Sequence, residues 1–144
     1  MAFASDGLHV ASGGDDGAVR VWDADTGAEK TTLRGNAAGV AGVAYSPDGR
    51  RLASAGADGT IRVWDAGDAR VVWTTAAHPG GAFALAYSPD GKRLISGGAD
   101  GAVREWDADD GRRQLQLQSF TGRVNGVAYS PDGRLLAAAG MDGK

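Results

Sequence analysis

The sequence predicts an all-β fold built from tandem copies of one unit, and three recurring features lead to that prediction. Trp-Asp occurs three times and Ser-Pro-Asp-Gly three times, each with a step of 42 residues, and Asp-Gly recurs four times with the same step. The positions are Trp22, Trp64 and Trp106 for the first motif, Ser46, Ser88 and Ser130 for the second, and Asp16, Asp58, Asp100 and Asp142 for the third. A fixed period of this length indicates a repeat protein. The high density of glycine and turn motifs argues against helices.

Each unit is predicted to contain four short strands joined by tight turns. The first strand ends in Ser-Pro-Asp-Gly, where proline presets φ and glycine accepts the left-handed exit. The second leads into Asp-Gly, a strong hairpin signal. The third alternates apolar and polar side chains at the period of a strand. The predicted spans are Val40–Ala44 (with Tyr45), Arg51–Gly56, Thr60–Asp65 and, from the first unit, a fourth strand around Ala28–Leu33.

These motifs at fixed spacing strongly resemble the WD40 repeat family, whose units form the blades of a β-propeller. The resemblance covers essentially the whole chain and implies a partial propeller of about three four-stranded antiparallel blades plus an inner strand pair. We treat residues 1–144 as a single repeat array with units at approximately 1–36, 37–78, 79–120 and 121–144. Because propellers of this family usually have seven blades, we expect a piece of a longer protein, in which a third strand of the fourth unit would begin at Lys144. Self-association of two copies through exposed blade faces is the alternative.

In the WD40 family a histidine, a Ser or Thr of the second strand, the turn Asp and the Trp form a buried hydrogen-bonded tetrad. The resemblance assigns the complete structural tetrad to His78, Ser96, Asp100 and Trp106. The second unit offers a tetrad-like set, Asn36, Ser54, Asp58 and Trp64, in which asparagine replaces part of the hydrogen bonding. The last unit has Phe120 and Ala138 and is expected to lack the network. The family's Gly-His pair is incomplete in every copy, since Gly35, Ala77 and Ser119 precede these positions.

The residue types of the tetrad also occur in hydrolase triads, so a catalytic role is the competing interpretation. We favour the structural role because a buried Asp needs donors, which His, Ser and the indole N–H supply. The second unit keeps the serine and the aspartate beside Asn36, which cannot act as a base. We therefore expect no catalytic residue, and we expect that the protein is not an enzyme.

Composition narrows the classes of ligand and location. The net charge of -3 argues against nonspecific nucleic-acid binding, which needs a clustered basic surface. No apolar stretch approaches the length needed to span a bilayer, so we expect no membrane association. The chain has no cysteine, which excludes thiolate metal sites and fits a cytoplasmic protein. Its two histidines, His9 and His78, fall in different repeat columns, and the acidic pairs near Asp23 and Asp107 lack the rest of a calcium loop. We expect neither metal nor cofactor.

Departures from the repeat point to a surface for protein partners. WD40 proteins tend to bind partners on the face that carries the Asp-Gly turns and the starts of the first strands. The large residues at these positions are Phe83, Arg123, Asn125 and Met141, and aromatic and Arg side chains dominate binding hot spots. We hypothesise that these four form a partner-binding patch, with packing of Phe83 in the core as the alternative. Within the strands, Glu105 stands out, because the other units have Val21 and Val63 there.

The resulting hypothesis is a non-catalytic scaffold for protein interactions, with the identity of the partner left open. The alternative is a regulatory or sensor segment of a larger multidomain signalling protein, such as a kinase or an NTPase, which rests on family analogy alone. A propeller enzyme would need convergent polar residues outside the repeat pattern, and the sequence contains no such group.

Overall fold

A computed structural model of the chain describes residues 1–118 and 120–142. The sequence-based expectations at Ser119 and Lys144 lie outside the described residues.

The described residues form fourteen β-strands and no helix. They group in chain order into four antiparallel sheets, here called blades one to four, and within each blade consecutive strands pair. Blade one contains β1 (Ala2–Phe3), β2 (His9–Gly13), β3 (Ala18–Asp23) and β4 (Glu29–Arg34). Blade two contains β5 (Val40–Tyr45), β6 (Arg51–Gly56), β7 (Thr60–Asp65) and β8 (Val71–Ala76). Blade three contains β9 (Ala82–Tyr87), β10 (Arg93–Gly98), β11 (Ala102–Asp107) and β12 (Arg113–Gln118), and blade four contains β13 (Val124–Tyr129) and β14 (Leu136–Gly140).

This architecture confirms the all-β prediction of three four-stranded blades plus an inner pair. The second and third strands of blade two have the predicted bounds. The fourth strand of blade one begins at Glu29, one residue later than expected. None of the described residues forms a helix of the length and apolarity needed to cross a membrane.

The core lies between blades. Because side chains alternate along β7, Ile61 and Val63 pack against blade three while Trp64 packs against blade one. The first strands of successive blades lie side by side, β1 by β5, β5 by β9 and β9 by β13. Each sheet is therefore stabilised mainly by the apolar faces of its neighbours, as expected for a repeat array.

The exposed fractions of two leucines at equivalent repeat positions show how much apolar surface a neighbouring blade covers. Leu33 of β4 is 3% exposed beneath blade two, whereas Leu117 of β12 is 41% exposed. The described part of blade four has two strands, and no outer strand covers Leu117. Leu115 beside it is 43% exposed for the same reason. The structure thus places apolar area on the blade-four side of blade three.

Candidate functional site

The four residues assigned to the tetrad lie together in blade three. His78 follows β8, Ser96 is on β10, Asp100 is in the β10–β11 turn and Trp106 is on β11. The Nε2 of His78 is 2.7 Å from the Oγ of Ser96, and its Nδ1 is 2.8 Å from the Oδ1 of Asp100. The indole Nε1 of Trp106 donates to the Oγ of Ser96 at 2.8 Å. The side chains therefore form one continuous chain of hydrogen bonds across the blade.

One set of proton positions gives each of these groups a partner. If Trp106 donates to Ser96, the serine hydroxyl donates to Nε2 of His78, and the Nδ1–H of His78 donates to Asp100. Burial lowers the pKa of the His78 imidazole from 6.5, although the hydrogen bond to Asp100 opposes that shift. Burial raises the pKa of the Asp100 carboxyl, but hydrogen bonds from His78 and Arg104 outweigh it and lower the pKa below 3.8. A neutral imidazole and an ionised carboxylate follow.

This connectivity matches that of a Ser-His-Asp triad, and burial decides what it can do. In a hydrolase the serine oxygen must reach a substrate carbonyl. Here Ser96 is 0% exposed and the side chain of His78 is also 0% exposed. The Oγ of Ser96 in addition receives a hydrogen bond from the indole of Trp106. In this arrangement the Oγ of Ser96 is not accessible to a substrate.

Arg104 is a fifth member of the network that sequence reasoning missed. Its Nη1 donates to the Oδ2 of Asp100 at 2.6 Å and lies 2.6 Å from the Nδ1 of His78. The same position is occupied by Arg62 in blade two and Arg20 in blade one, and each contacts the Asp of its own turn. The signal was present in the sequence, because an arginine stands three residues after the glycine of the Asp-Gly turn in blades one, two and three, at Arg20, Arg62 and Arg104.

Blade two uses its tetrad-like set differently. The Nε1 of Trp64 donates to the Oγ of Ser54 at 3.0 Å. The amide of Asn36 is farther from that oxygen, at 3.4 Å, and its Oδ1 instead accepts from the Nη1 of Arg62 at 2.8 Å. The hydrogen bond from this loop to Asp58 comes from the N–H of Ala37, at 3.1 Å. The equivalent residue in blade three is Pro79, which has no N–H, and His78 supplies the donor there.

Blade four has an aromatic packing contact at the histidine position. A Cβ added at Gly140 would overlap the ring of Phe120. The backbone donor is kept, since the N–H of Thr121 donates to the Oδ2 of Asp142 at 3.0 Å. Ala138 offers no hydroxyl at the position of the strand-two serine.

The positions predicted for partner binding lie where the first strand of a blade is irregular. The pairing of β9 with β10 shifts register at Gly98, so that Phe83 has no paired residue on β10. The same shift isolates Ala41 in blade two and Asn125 in blade four. A bulge of this kind redirects the side chain of the extra residue. In blade four, the N–H of Met141 bonds the carbonyl of Arg123 at 2.9 Å, which joins the strand start to the Asp-Gly turn.

The structure brings three of these side chains into contact across blades three and four. The guanidinium of Arg123 lies 4.5 Å from the ring centroid of Phe83, within the range of a cation–π interaction. Its Nε donates to the Oδ1 of Asn125 at 2.6 Å. Met141 is 68% exposed beside them. We call Phe83, Arg123, Asn125 and Met141 the turn-face patch.

The packing of Phe83 bears on the alternative that this side chain belongs to the core. Among the described residues, the apolar cluster between blades two and three includes Leu85 and Tyr87 of the same strand but not Phe83. Phe83 is half-buried, and its ring lies over Gly81, where an added Cβ would be 2.7 Å from the Cζ. The ring therefore packs on backbone and on Arg123 at the edge of the blade.

The carboxylates of the acidic turns near Asp23 and Asp107 accept hydrogen bonds from their own turns. The Oδ1 of Asp23 accepts from the N–H and the hydroxyl of Thr26, and the Oδ1 of Asp107 accepts from the N–H of Asp109. Within the described residues no group of three or more His, Asp or Glu side chains has the arrangement of a metal site.

Sheets of four antiparallel strands, repeated every 42 residues and stacked in chain order, define a β-propeller repeat protein. The family model described as "WD domain, G-beta repeat" matches residues 1–23, 27–65, 69–107 and 114–144. The chain belongs to the WD40 repeat family, whose members generally mediate protein interactions as scaffolds. A comparison with curated proteins gives no significant match.

Proposed function

We propose that the protein is a non-catalytic interaction scaffold and that it binds protein partners through the turn-face patch. The observation that carries this proposal is the contact of Arg123 with Phe83 and Asn125, which joins two blades in one exposed surface. Arg and aromatic side chains are the residues most often found at the energetic centre of protein interfaces.

The support from geometry is that these large side chains are held in place before any partner arrives. Phe83 is backed by Gly81, and Arg123 is fixed by both the ring of Phe83 and the amide of Asn125. A pre-ordered side chain loses less conformational entropy on binding than a free one. The patch therefore combines contact area with low ordering cost.

Blade two provides an internal contrast. Its residues at the corresponding positions are Gly39, Ala41 and Ala57, which offer little contact area. At equivalent backbone positions, blade two therefore carries small side chains, whereas blades three and four carry large ones. A partner that binds here needs an apolar group to contact Phe83 and Met141 and an acidic group to pair with Arg123. A peptide supplies both groups, and a nucleic acid does not.

The test uses a displayed library of random peptides selected against the immobilised chain. Selected peptides should lose about tenfold or more in affinity for Phe83→Ala and for Arg123→Ala, since hot-spot truncations cost about 2 kcal/mol or more. Phe83→Leu keeps apolar area but removes the ring and should give an intermediate loss. Circular dichroism and thermal melts of each variant establish that it is folded.

The matched control is Arg113→Ala, which removes an exposed arginine from the outer strand of blade three. It should leave the affinity unchanged. Selected peptides whose affinity is indifferent to Phe83→Ala and Arg123→Ala, or equally sensitive to Arg113→Ala, would contradict the proposed site.

A further inference from the structure

A buried carboxylate joins blades three and four at one repeat position. The Oε2 of Glu105 accepts from the Oη of Tyr129 at 2.8 Å and lies 3.4 Å from the Nη1 of Arg93. The guanidinium of Arg93 is also 5.4 Å from the centroid of the Tyr129 ring. The side chain of Glu105 is 11% exposed. At this boundary, an arginine and a tyrosine together bind a carboxylate.

The boundary between blades two and three has the same arginine and tyrosine without the glutamate. Arg51, Tyr87 and Val63 occupy the positions of Arg93, Tyr129 and Glu105. The Nη1 of Arg51 and the Oη of Tyr87 are buried, and neither has a hydrogen-bond partner within residues 1–118 and 120–142. Buried polar groups in folded proteins are nearly always paired, so two such atoms at one boundary need an explanation.

A cavity of about 350 Å³ lies at this boundary, and both Arg51 and Tyr87 line it. Its walls are the Ser-Pro-Asp-Gly turns of blades two and three and the start of the β11–β12 turn. It is therefore at the opposite end of the second strands from the turn-face patch, and it is distinct from the proposed scaffold surface.

We propose that this cavity binds a carboxylate, held by Arg51 and Tyr87 as Glu105 is held by Arg93 and Tyr129. A guanidinium and a phenol supply the charge-assisted and neutral hydrogen bonds that a carboxylate accepts. The ligand is a small free carboxylate or the acidic side chain of a protein partner, and both present the same chemistry.

The formal charges around the cavity balance, so the carboxylate would be held by local hydrogen bonds from Arg51 and Tyr87 and not by a net positive field. The lining includes the cations Arg50, Arg51 and Lys92 and three aspartates, Asp48, Asp90 and Asp109. Two of those carboxylates are already used within their own turns. Asp48 accepts from the hydroxyl of Ser46 at 2.6 Å, and Asp90 accepts from that of Ser88 at 2.5 Å.

The hydroxyl of Tyr87 keeps its proton. Burial raises the pKa of the Tyr87 phenol well above its ordinary value of 10.0, while the charge of Arg51 opposes that shift. The phenol is therefore a donor over the physiological range, as the Oη of Tyr129 is towards Glu105.

The first experiment is an NMR titration of the chain with sodium acetate at constant ionic strength, with acetamide as the neutral isostere. The side-chain resonances of Arg51 and Tyr87 should shift and saturate with acetate and remain in place with acetamide. A second arm uses acetyl-Gly-Glu-Gly-amide against the Gln peptide. A Glu peptide that binds at least tenfold tighter than acetate identifies a partner's side chain, and equal affinity identifies a free carboxylate.

Three variants and one control make the result specific. Arg51→Gln should weaken acetate binding by about tenfold or more, because hydrogen bonds to charged groups are the strong ones. Tyr87→Phe removes only the hydroxyl and should weaken binding as well. Val63→Glu supplies an internal carboxylate, as Glu105 does, and should abolish acetate binding. Arg70→Gln removes an exposed arginine of blade two and should change nothing.

Failure has a defined form. The proposal is overturned if no saturable shift appears up to about 100 mM acetate, a concentration that reaches very weak binding. It is equally overturned if the affinity survives both Arg51→Gln and Tyr87→Phe, or if folded Val63→Glu binds acetate as tightly as the unaltered chain.

Discussion

Replacing the strand-two serine by alanine in each of three blades tests whether the buried network stabilises the fold as its geometry indicates. In blade three, Ser96→Ala leaves the Nε1 of Trp106 and the Nε2 of His78 without the partner that each now has. An orphaned buried polar group costs about 1–3 kcal/mol. Taking about 2 kcal/mol for each of the two groups, the free energy of unfolding should fall by about 4 kcal/mol.

The same substitution in blade two should cost about half as much. Ser54→Ala orphans the buried Nε1 of Trp64, which donates at 3.0 Å. The amide of Asn36 loses only a long contact of 3.4 Å and keeps its hydrogen bond from Arg62. One orphaned group gives an expected loss of about 2 kcal/mol.

In blade one the loss should be smallest. Ser12 accepts from the Nε1 of Trp22 at 2.8 Å, but both residues are partly exposed. Water can replace the serine at an exposed indole, so the expected loss is below about 1 kcal/mol.

Urea denaturation followed by tryptophan fluorescence measures the three losses under identical conditions. Thermal melts provide a second measure, at about 3 °C per kcal/mol for a chain of this length. The prediction is the rank order, with Ser96→Ala most destabilising and Ser12→Ala least. Equal losses in all three blades, or a larger loss at Ser12, would refute the assignment of the network to blade three.

Three further predictions concern pH, backbone geometry and the boundary between blades three and four. Burial lowers the pKa of His78 from 6.5, so below that pH the unfolded chain binds a proton that the folded chain does not. The melting temperature should therefore fall as the pH drops below about 6.5. This fall should be smaller in His78→Asn. Gly59→Ala should lower the urea midpoint more than Gly27→Ala, which itself costs about 1–2 kcal/mol for a left-handed residue. Glu105→Val should destabilise the chain by about 2 kcal/mol in urea, chiefly by removing the acceptor of the Tyr129 hydroxyl.

Each of these has a matched control. His9→Asn removes the other histidine, and a loss of pH dependence there instead of at His78 would contradict the first prediction. Gly59 and Gly27 have similar φ values of 82° and 70°, but a Cβ at Gly59 overlaps the carbonyl of His78, while nothing lies within 4 Å of Gly27. Equal costs would show that the overlap is relieved. Glu105→Gln keeps one acceptor and should lose less than Glu105→Val.

Local features of the fold were predictable because they depend on residues close in sequence. The Ser-Pro-Asp-Gly and Asp-Gly turns set the strand ends, and the alternation in Thr60–Asp65 sets which side chains face each neighbouring blade. The fourth strand of blade one was predicted only approximately, since this segment is less regular between repeats, and it begins at Glu29, one residue later than expected.

The residues of the buried network were likewise predicted only in part. The set His78, Ser96, Asp100 and Trp106 followed from resemblance to WD40 repeats, and the structure places the four within hydrogen-bond distance of one another along a single chain. Arg104 was missed although its spacing from the Asp-Gly turn repeats, because a surface-facing arginine and a bridging one look alike in a strand pattern.

The period of 42 residues by itself determined the class of fold, the strand positions and the columns in which equivalent side chains fall. Only the tertiary structure decided which polar groups find partners. Glu105 contacts Tyr129 from the next blade, while the Nη1 of Arg51 and the Oη of Tyr87 have no hydrogen-bond partner among the described residues. The physical reason is that turn geometry acts over a few residues, whereas hydrogen-bond satisfaction depends on side chains that stacking brings together from different repeats.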